Sequence, residues 1–332
     1  MKRILFRKFV ISCSCLISLA SCASLSEPRA NYTELPSGFA YPNGITTGPD
    51  GMLYVGSVTS GNILSVSSDG AITTAFEETD EVFAGTSVRF DPLTELLWVA
   101  SPDFLGEEVN GEIVRRPHRV AAIDLSNSSI VWSSAMPDEG FANDIALDGE
   151  GGVFITDSVR DRILYLSGPG AGFETVAADP LMEPGDLGPA GIAISPDGDL
   201  ITGLYSDGTL LRVTLGTDET PAQVTPINLP RSLENPDGLA FAPDGQLLVL
   251  EGAAESGNGK LLAVDLSSPE PHTVDVLLDG LESPLNLTVT GDRIAITESR
   301  IRHLLVDGPT LTPPEIFRIV TVSLDDSEAD DS

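Results

Sequence analysis

One short phrase recurs along the chain in steps of 43 to 57 residues, and it restricts the fold more than any other feature. The phrase opens on a small or polar residue, usually followed by Gly and an aliphatic. A few residues later it reaches Asp-Gly or a close substitute. It reads PNGITTGPDGMLYVG from Pro42, ANDIALDGEGGVFITD from Ala142, PAGIAISPDGDLITG from Pro189, PDGLAFAPDGQLLVLEG from Pro236 and LNLTVTGDRIAITE from Leu285, with a weaker copy, GTSVRFDPLTELLWVA, from Gly85. Repeats of this length mark stacked or radially arranged units.

Each copy carries strand signals. Aliphatic and β-branched runs such as Leu53–Gly56, Val153–Thr156 and Leu247–Leu250 each follow a turn signal such as Pro49-Asp50-Gly51 or Pro243-Asp244-Gly245. Pro and Asp suit the early positions of a type I turn, and Gly takes the positive-φ position that closes a hairpin. Third runs follow at Ile63–Val66, Ile163–Leu166 and Leu261–Leu266, and fourth runs at Ile72–Phe76, Glu174–Ala177 and Val274–Leu278. No long 3.6-residue periodicity appears after the N-terminal segment, which argues against a helical fold. Four strands in each of six units predict an all-β, six-bladed β-propeller with four-stranded antiparallel blades, one domain spanning 31–324.

The last copy lacks a fourth run after Leu324. The segment Asn31 to Pro36 resembles the ends of fourth strands elsewhere, so an N-terminal outer strand is expected to close the ring. Two insertions, Pro102–Pro117 and Ser299–Glu315, fall between second and third strands. In an up-and-down blade both overhang the face where the repeat phrase begins.

The N-terminus reads as a targeting segment. Lys2, Arg3, Arg7 and Lys8 precede an apolar stretch, Phe9 to Ala20, too short for a membrane-spanning helix. It ends in Leu19-Ala20-Ser21-Cys22, which resembles a bacterial lipobox with Cys22 as the lipidated first mature residue; an ordinary secretory signal is the plainer alternative. Residues 1–22 are therefore expected to be removed or anchored, with the protein exported and held at the outer membrane by lipid alone. All three cysteines lie in this segment, so the folded part has no disulfide and no thiol nucleophile. The formal charge is −32. Taking away the four basic signal residues leaves about −36, which excludes nucleic acid as a partner. The tail 325–332 is acidic and expected to be disordered.

Alignment of the copies places Asn43, Thr86, Asn143, Ala190, Asp237 and Asn286 at one position, the start of each innermost strand beside the central channel. Burying polar groups there costs free energy unless they are paired. Converging oxygens suit a hard cation, calcium above all, which accepts neutral amides. His118, His272 and His303 are scattered without zinc-ligand spacing. A G-x-S-x-G elbow and a D-x-D-x-D-G loop are both missing from the sequence.

These phrases resemble the senescence-marker-protein/gluconolactonase family of six-bladed propellers, relatives of the paraoxonase-like lactonases. The resemblance implies a divalent cation in the channel and hydrolysis of a small lactone or ester. The family's Asn-Asp is matched by Asn143-Asp144 and its later Asp by Asp237. Its Asn-Gly is Ala190-Gly191 here, and its first-blade Glu is Asn43. The metal set is then Asn43, Asn143, Asp237 and Asn286, with Glu298, Glu251 or Asp157 as compensating carboxylates. Asp237 is the candidate catalytic residue, as ligand and base or as the group that orients water. Glu298, His118, His303 and Arg300 are candidate substrate or rim residues; the arginines near the insertions could instead pair with neighbouring acids. The other functional class is a non-catalytic, lipid-anchored propeller that binds a protein or glycan. A monomer is expected in either case.

Overall fold

The Pro-Asp-Gly segments form the turns their chemistry favours. In the computed structural model, which describes residues 30–217, 220–306 and 313–324, Gly51, Gly198 and Gly245 adopt φ of 73°, 91° and 89°. This is the left-handed region that Cβ-bearing residues resist. The Gly198 amide donates to the Ser195 carbonyl and Ser195 to Asp199, at 2.9 and 2.8 Å, and the same pair recurs at Gly245 and Ala242. Each such turn closes the hairpin between the first two strands of a unit.

The hairpins extend into six antiparallel four-stranded sheets. The innermost strands are Pro42–Thr47, Ser87–Asp91, Ala142–Leu147, Pro189–Ile194, Pro236–Phe241 and Pro284–Thr290. Each packs against the next, and the sixth packs against the first, so the six blades form a complete ring. The protein is a six-bladed β-propeller. Blade six takes its outer strand from the N-terminus: Ala30–Glu34 pairs antiparallel with Arg318–Ser323, Tyr32 opposite Val320. The expected closure is present. The segment 1–22, expected to be a signal ending at Cys22, and the acidic stretch 325–332 lie outside the described residues.

Packing between blades supplies the core. Second strands such as Val153–Asp157, Leu200–Leu204 and Leu247–Glu251 are buried along their whole length. Trp98 is fully buried in the cluster that joins blades two and three, with Trp132 edge-on at 6.0 Å. Full burial of one Ile or Leu side chain contributes roughly 1.5–3 kcal/mol. Ring closure therefore rests on apolar packing and strand pairing.

Both insertions lie on one face. The first folds into a hairpin, Glu107–Val109 with Glu112–Val114, and the second into a short helix, Arg302–Leu305. Phe104 of the first and Leu304 of the second pack on a cluster of Val58, Leu285 and Ile301. The two insertions thus meet over the channel mouth, as the blade topology predicts.

Candidate functional site

The site begins with an irregularity in the innermost strands. In blades one, three, four, five and six the register with the second strand shifts at the strand's start. A bulge of this kind re-aims side chains at a sheet edge. Threonines of the second strands hold it in place. Thr156 Oγ1 accepts from the Asp144 amide at 2.9 Å and donates across the seam to the Ala190 carbonyl at 2.6 Å. Thr297 Oγ1 accepts from the Asn286 amide and donates to the Asn43 carbonyl. Glycine follows the re-aimed residue where strands crowd: a Cβ on Gly191 would fall 1.7 Å from the Asp237 carbonyl oxygen, and one on Gly44 2.5 Å from the Val88 nitrogen.

The re-aimed residues line a pocket at the channel mouth, where about 520 Å³ of empty space includes part of the open solvent. Asn43, Thr86, Asn143 and Asp237 contribute to its lining together, with Tyr205 beside them. The sixth position belongs to Leu285, not to Asn286. Asn286 sits opposite Thr297, its amide on that hydroxyl, just as the Asp144 amide sits on Thr156. It therefore belongs to the layer beneath, with Gly44, Ser87, Asp144, Gly191 and Gly238. The phrase in blade six starts at Pro284, matching Pro42, Pro189 and Pro236. Counting from Leu285 slips the alignment by one residue, and a one-residue slip moves every side chain to the neighbouring layer.

That lower layer is closed by Arg89, a residue the repeat alignment did not single out. Its guanidinium donates to Asp144 Oδ1 and to Asn286 Oδ1, both at 2.9 Å. It also donates to the carbonyls of Ile145 at 2.9 Å and Ile45 at 3.0 Å. One side chain thus joins four blades across the channel. Asp144 is fully served: Oδ1 also accepts from Ser87 Oγ at 2.7 Å, and Oδ2 accepts from the Ile192 amide at 3.2 Å. The Asn286 oxygen is occupied by Arg89 and the Leu287 amide, and is not available to a ligand at the mouth.

The mouth layer is different. Asn143 Nδ2 donates to Ser158 Oγ at 2.9 Å, which leaves its Oδ1 for the cavity. The Thr86 hydroxyl donates to backbone carbonyls, the nearest that of Asn143 at 3.2 Å. Asp237 is 7% exposed, and no hydrogen bond to its carboxylate is present among the described residues. Burial raises its pKa well above the usual carboxylate range, and the charge of Asp144 adds to the rise. Burial, then the charges of Asp237 and Glu234, push the Tyr205 phenol up as well. Tyr205 therefore stays an O–H donor at any physiological pH. Its position directly after a second strand, where blade one carries Val58 and blade three Ser158, was the signal that could have found it.

The other sequence-derived candidates lie away from the cavity lining. Glu298 is fully buried, held by Arg318 and by the Glu282 amide at 2.8 Å. Asp157 likewise accepts from the Phe141 amide and Arg162, and Glu251 from the Glu234 amide and Arg231. These acids pin the loop that enters each blade and do not compensate at the channel. His303 is buried; its Nδ1 donates to the Arg300 carbonyl at 3.2 Å and its Nε2 accepts from the Tyr41 hydroxyl at 3.0 Å. His118 Nδ1 accepts from the Asp103 amide at 2.8 Å, and its ring meets Phe141 edge-on at 5.1 Å. Burial lowers the His118 pKa, which favours the neutral ring. Arg300 pairs with Glu282, and Arg116 with Asp103, while Arg302 donates to the carbonyls of Ala254 and Glu255. The insertion arginines thus follow the local-pairing alternative, with partners other than the glutamates of the hairpin.

Among the described residues no group of three or more His, Cys, Asp or Glu side chains is placed to hold a metal ion. The oxygens offered by the mouth layer are instead two amides and one carboxylate. An unpartnered carboxylate in an apolar surround, beside an amide whose nitrogen is tied back, fits a hard cation that accepts neutral oxygen ligands and completes its shell with water.

No protein-family model and no curated protein matches the chain. Solved structures do. A gluconolactonase from Xanthomonas campestris is 14% identical with a TM-score of 0.61, covering 90% of this chain and 91% of its own. Virginiamycin B lyase from Staphylococcus aureus is 14% identical with a TM-score of 0.59, covering 90% and 100%. The PQQ-bound aldose sugar dehydrogenase from Streptomyces coelicolor is 14% identical with a TM-score of 0.57, covering 89% and 99%. At these identities the likeness is one of fold. A hydrolase, a lyase and a dehydrogenase share the ring, so activity has to be argued from the site.

Proposed function

We propose that the protein is a hydrolase of a lactone or ester that uses a divalent cation, calcium by preference, held by Asn43, Asn143 and Asp237. The observation that carries this reading is the Asp237 carboxylate: nearly buried, without a hydrogen-bond donor from the described residues, and open to the cavity. A group in that state destabilises the empty site unless a ligand or a proton compensates it. When bound, the cation would supply the polarisation of the substrate carbonyl.

The chain's own residues do the rest. Ser158 turns the Asn143 amide so that its oxygen, and not its nitrogen, meets the cavity. Arg89 pairs with Asp144 beneath, leaving Asp237 as the one carboxylate in the cavity wall among the described residues. Tyr205, kept protonated by burial and by Asp237, can donate a hydrogen bond to a substrate oxygen. Phe104, Ile301 and Leu305 supply apolar walls that narrow the access of water. The gluconolactonase among the structural neighbours is consistent with a lactone substrate.

A binding propeller without catalysis is the second reading. It is favoured by Ala190 and Leu285, which leave two of the six mouth positions without an oxygen. Either protein would work from the membrane face if Cys22 carries lipid. A panel of lactones and aryl esters, offered to the purified domain with and without chelator, separates the two. Chelator-sensitive turnover that disappears in Asp237→Asn supports the hydrolase. Failure of every substrate at millimolar cation leaves only the binding module.

A further inference from the structure

Resting on the hydrolase reading, we infer that the site takes lactones or esters bearing an uncharged hydrocarbon substituent, and that polyhydroxylated sugar lactones are poor substrates. The polar groups of the cavity are confined to the innermost strands and Tyr205. The walls are Val58, Phe104, Phe141, Leu187, Ile301 and Leu305, with Leu285 completing the mouth layer. Among the described residues that line it there is no basic side chain, and Asp237 is the single acid.

A sugar lactone brings several hydroxyls into this space. The Thr86 hydroxyl and the Asn143 nitrogen already have partners in the protein. Each ring hydroxyl buried against the walls without a partner costs roughly tenfold or more in affinity. A hydrocarbon substituent meets the opposite situation. Each methylene removed from water there improves binding by roughly three- to fourfold.

The apolar lining continues out of the cavity. Leu305 lines it and is still 38% exposed, and Leu105, next to Phe104, is 42% exposed. Both belong to the insertions. Arg115 Nε donates to the Phe104 carbonyl at 3.3 Å and Arg302 Nε to the Ala254 carbonyl at 2.8 Å. A substituent longer than the cavity therefore meets the exposed part of Leu305 at its edge.

The test uses the folded domain with calcium supplied. The kcat/KM of γ-lactones substituted with methyl, butyl and octyl chains is compared with that of D-glucono-δ-lactone. Binding of the matching γ-lactams, which resist hydrolysis, is read by thermal shift. The expected result is a rise of at least thirtyfold from methyl to octyl in both measurements, with the sugar lactone below the methyl member. Leu305→Gln should shrink the octyl-to-methyl ratio at least fivefold, and Leu305→Met should restore most of it. A flat series, or a preference for the sugar lactone, overturns the inference. If no lactone is cleaved while lactam binding still climbs with chain length, the hydrolase reading fails and the hydrocarbon preference stands. If neither turnover nor lactam binding is seen, both fall.

Discussion

Two aspartates one layer apart show how the same ring makes structure in one place and opportunity in another. Asp144 lies in the lower layer and receives Arg89, Ser87, Asn286 and the Ile192 amide. Asp237 lies in the mouth layer of another blade and receives no hydrogen bond among the described residues. Both are almost completely buried, at 1% and 7% exposure. Burial alone therefore does not distinguish them; the supply of donors does. A satisfied carboxylate tethers blades. An unsatisfied one raises the energy of the empty protein and is relieved by something from outside.

The largest expected effects come from exchanging each acid for its amide. Asp237→Asn should reduce turnover at least about a thousandfold, in line with losing a principal electrostatic group, while its denaturation midpoint stays equal or rises. Asp144→Asn should do the reverse in stability. It leaves the Arg89 guanidinium buried without its counter-charge and should cost about 3–5 kcal/mol by chemical denaturation. Equal destabilisation by the two exchanges would erase the distinction.

Next in size is cation linkage. Calcium at a hundred times its Kd should stabilise the wild type by about 2.7 kcal/mol. The same addition should leave Asp237→Asn unmoved, as read by thermal melts across a calcium titration. Because the ligand must be the carboxylate anion, the gain should weaken as pH falls through the raised pKa of Asp237.

The cation-free protein should show a smaller effect of opposite sense. A carboxyl whose folded pKa lies above its unfolded value of roughly 3.9 binds more protons in the native state. Its contribution to stability therefore falls as pH rises from about 4 to the folded pKa, and is flat beyond it. Melts of wild type minus Asp237→Asn in chelator should isolate this downward slope. An upward slope would mean that Asp237 has found donors.

The smallest effect concerns Ser158. Ser158→Ala removes the acceptor that orients the Asn143 amide, and calcium affinity should drop by a few-fold to tenfold with a stability loss of about 1 kcal/mol. An unchanged affinity in calorimetric titration would mean that the Asn143 oxygen plays no part.

How much of this could be read beforehand depends on which forces act locally. The turns, blade number, closing strand and overhanging insertions follow from short-range chemistry: Pro and Gly dihedrals, alternation of apolar residues, and connection lengths. The identity of the mouth residues at Asn43, Asn143 and Asp237 followed from the same periodicity. Asn286 did not, because its copy has lost the Asp-Gly turn and keeps only Gly291-Asp292 between the strands. The register is set there by Pro284 and the Thr297 stitch, which a count from the turn misses. Arg89 and Tyr205 were beyond periodicity altogether. Arg89 acts through partners 44 to 197 residues away in sequence, and only the assembled ring brings them together. Its trace in the sequence is a charge inside an innermost strand, Val88-Arg89-Phe90, together with the acid of Asn143-Asp144 that needs a counter-ion. The fate of His303 was equally distant, since its partner Tyr41 lies at the other end of the domain.

The seam in blade six dictates an order of events. Ala30–Glu34 leaves the ribosome early, and its partner Arg318–Ser323 is nearly the last part of the domain to be made. The join between them has to wait for almost the entire polypeptide. Val58 of blade one and Leu285 of blade six itself meet over the channel mouth only afterwards. A chain clipped before Arg318 loses the partner of Ala30–Glu34, and with it the closed ring that brings the pocket walls together.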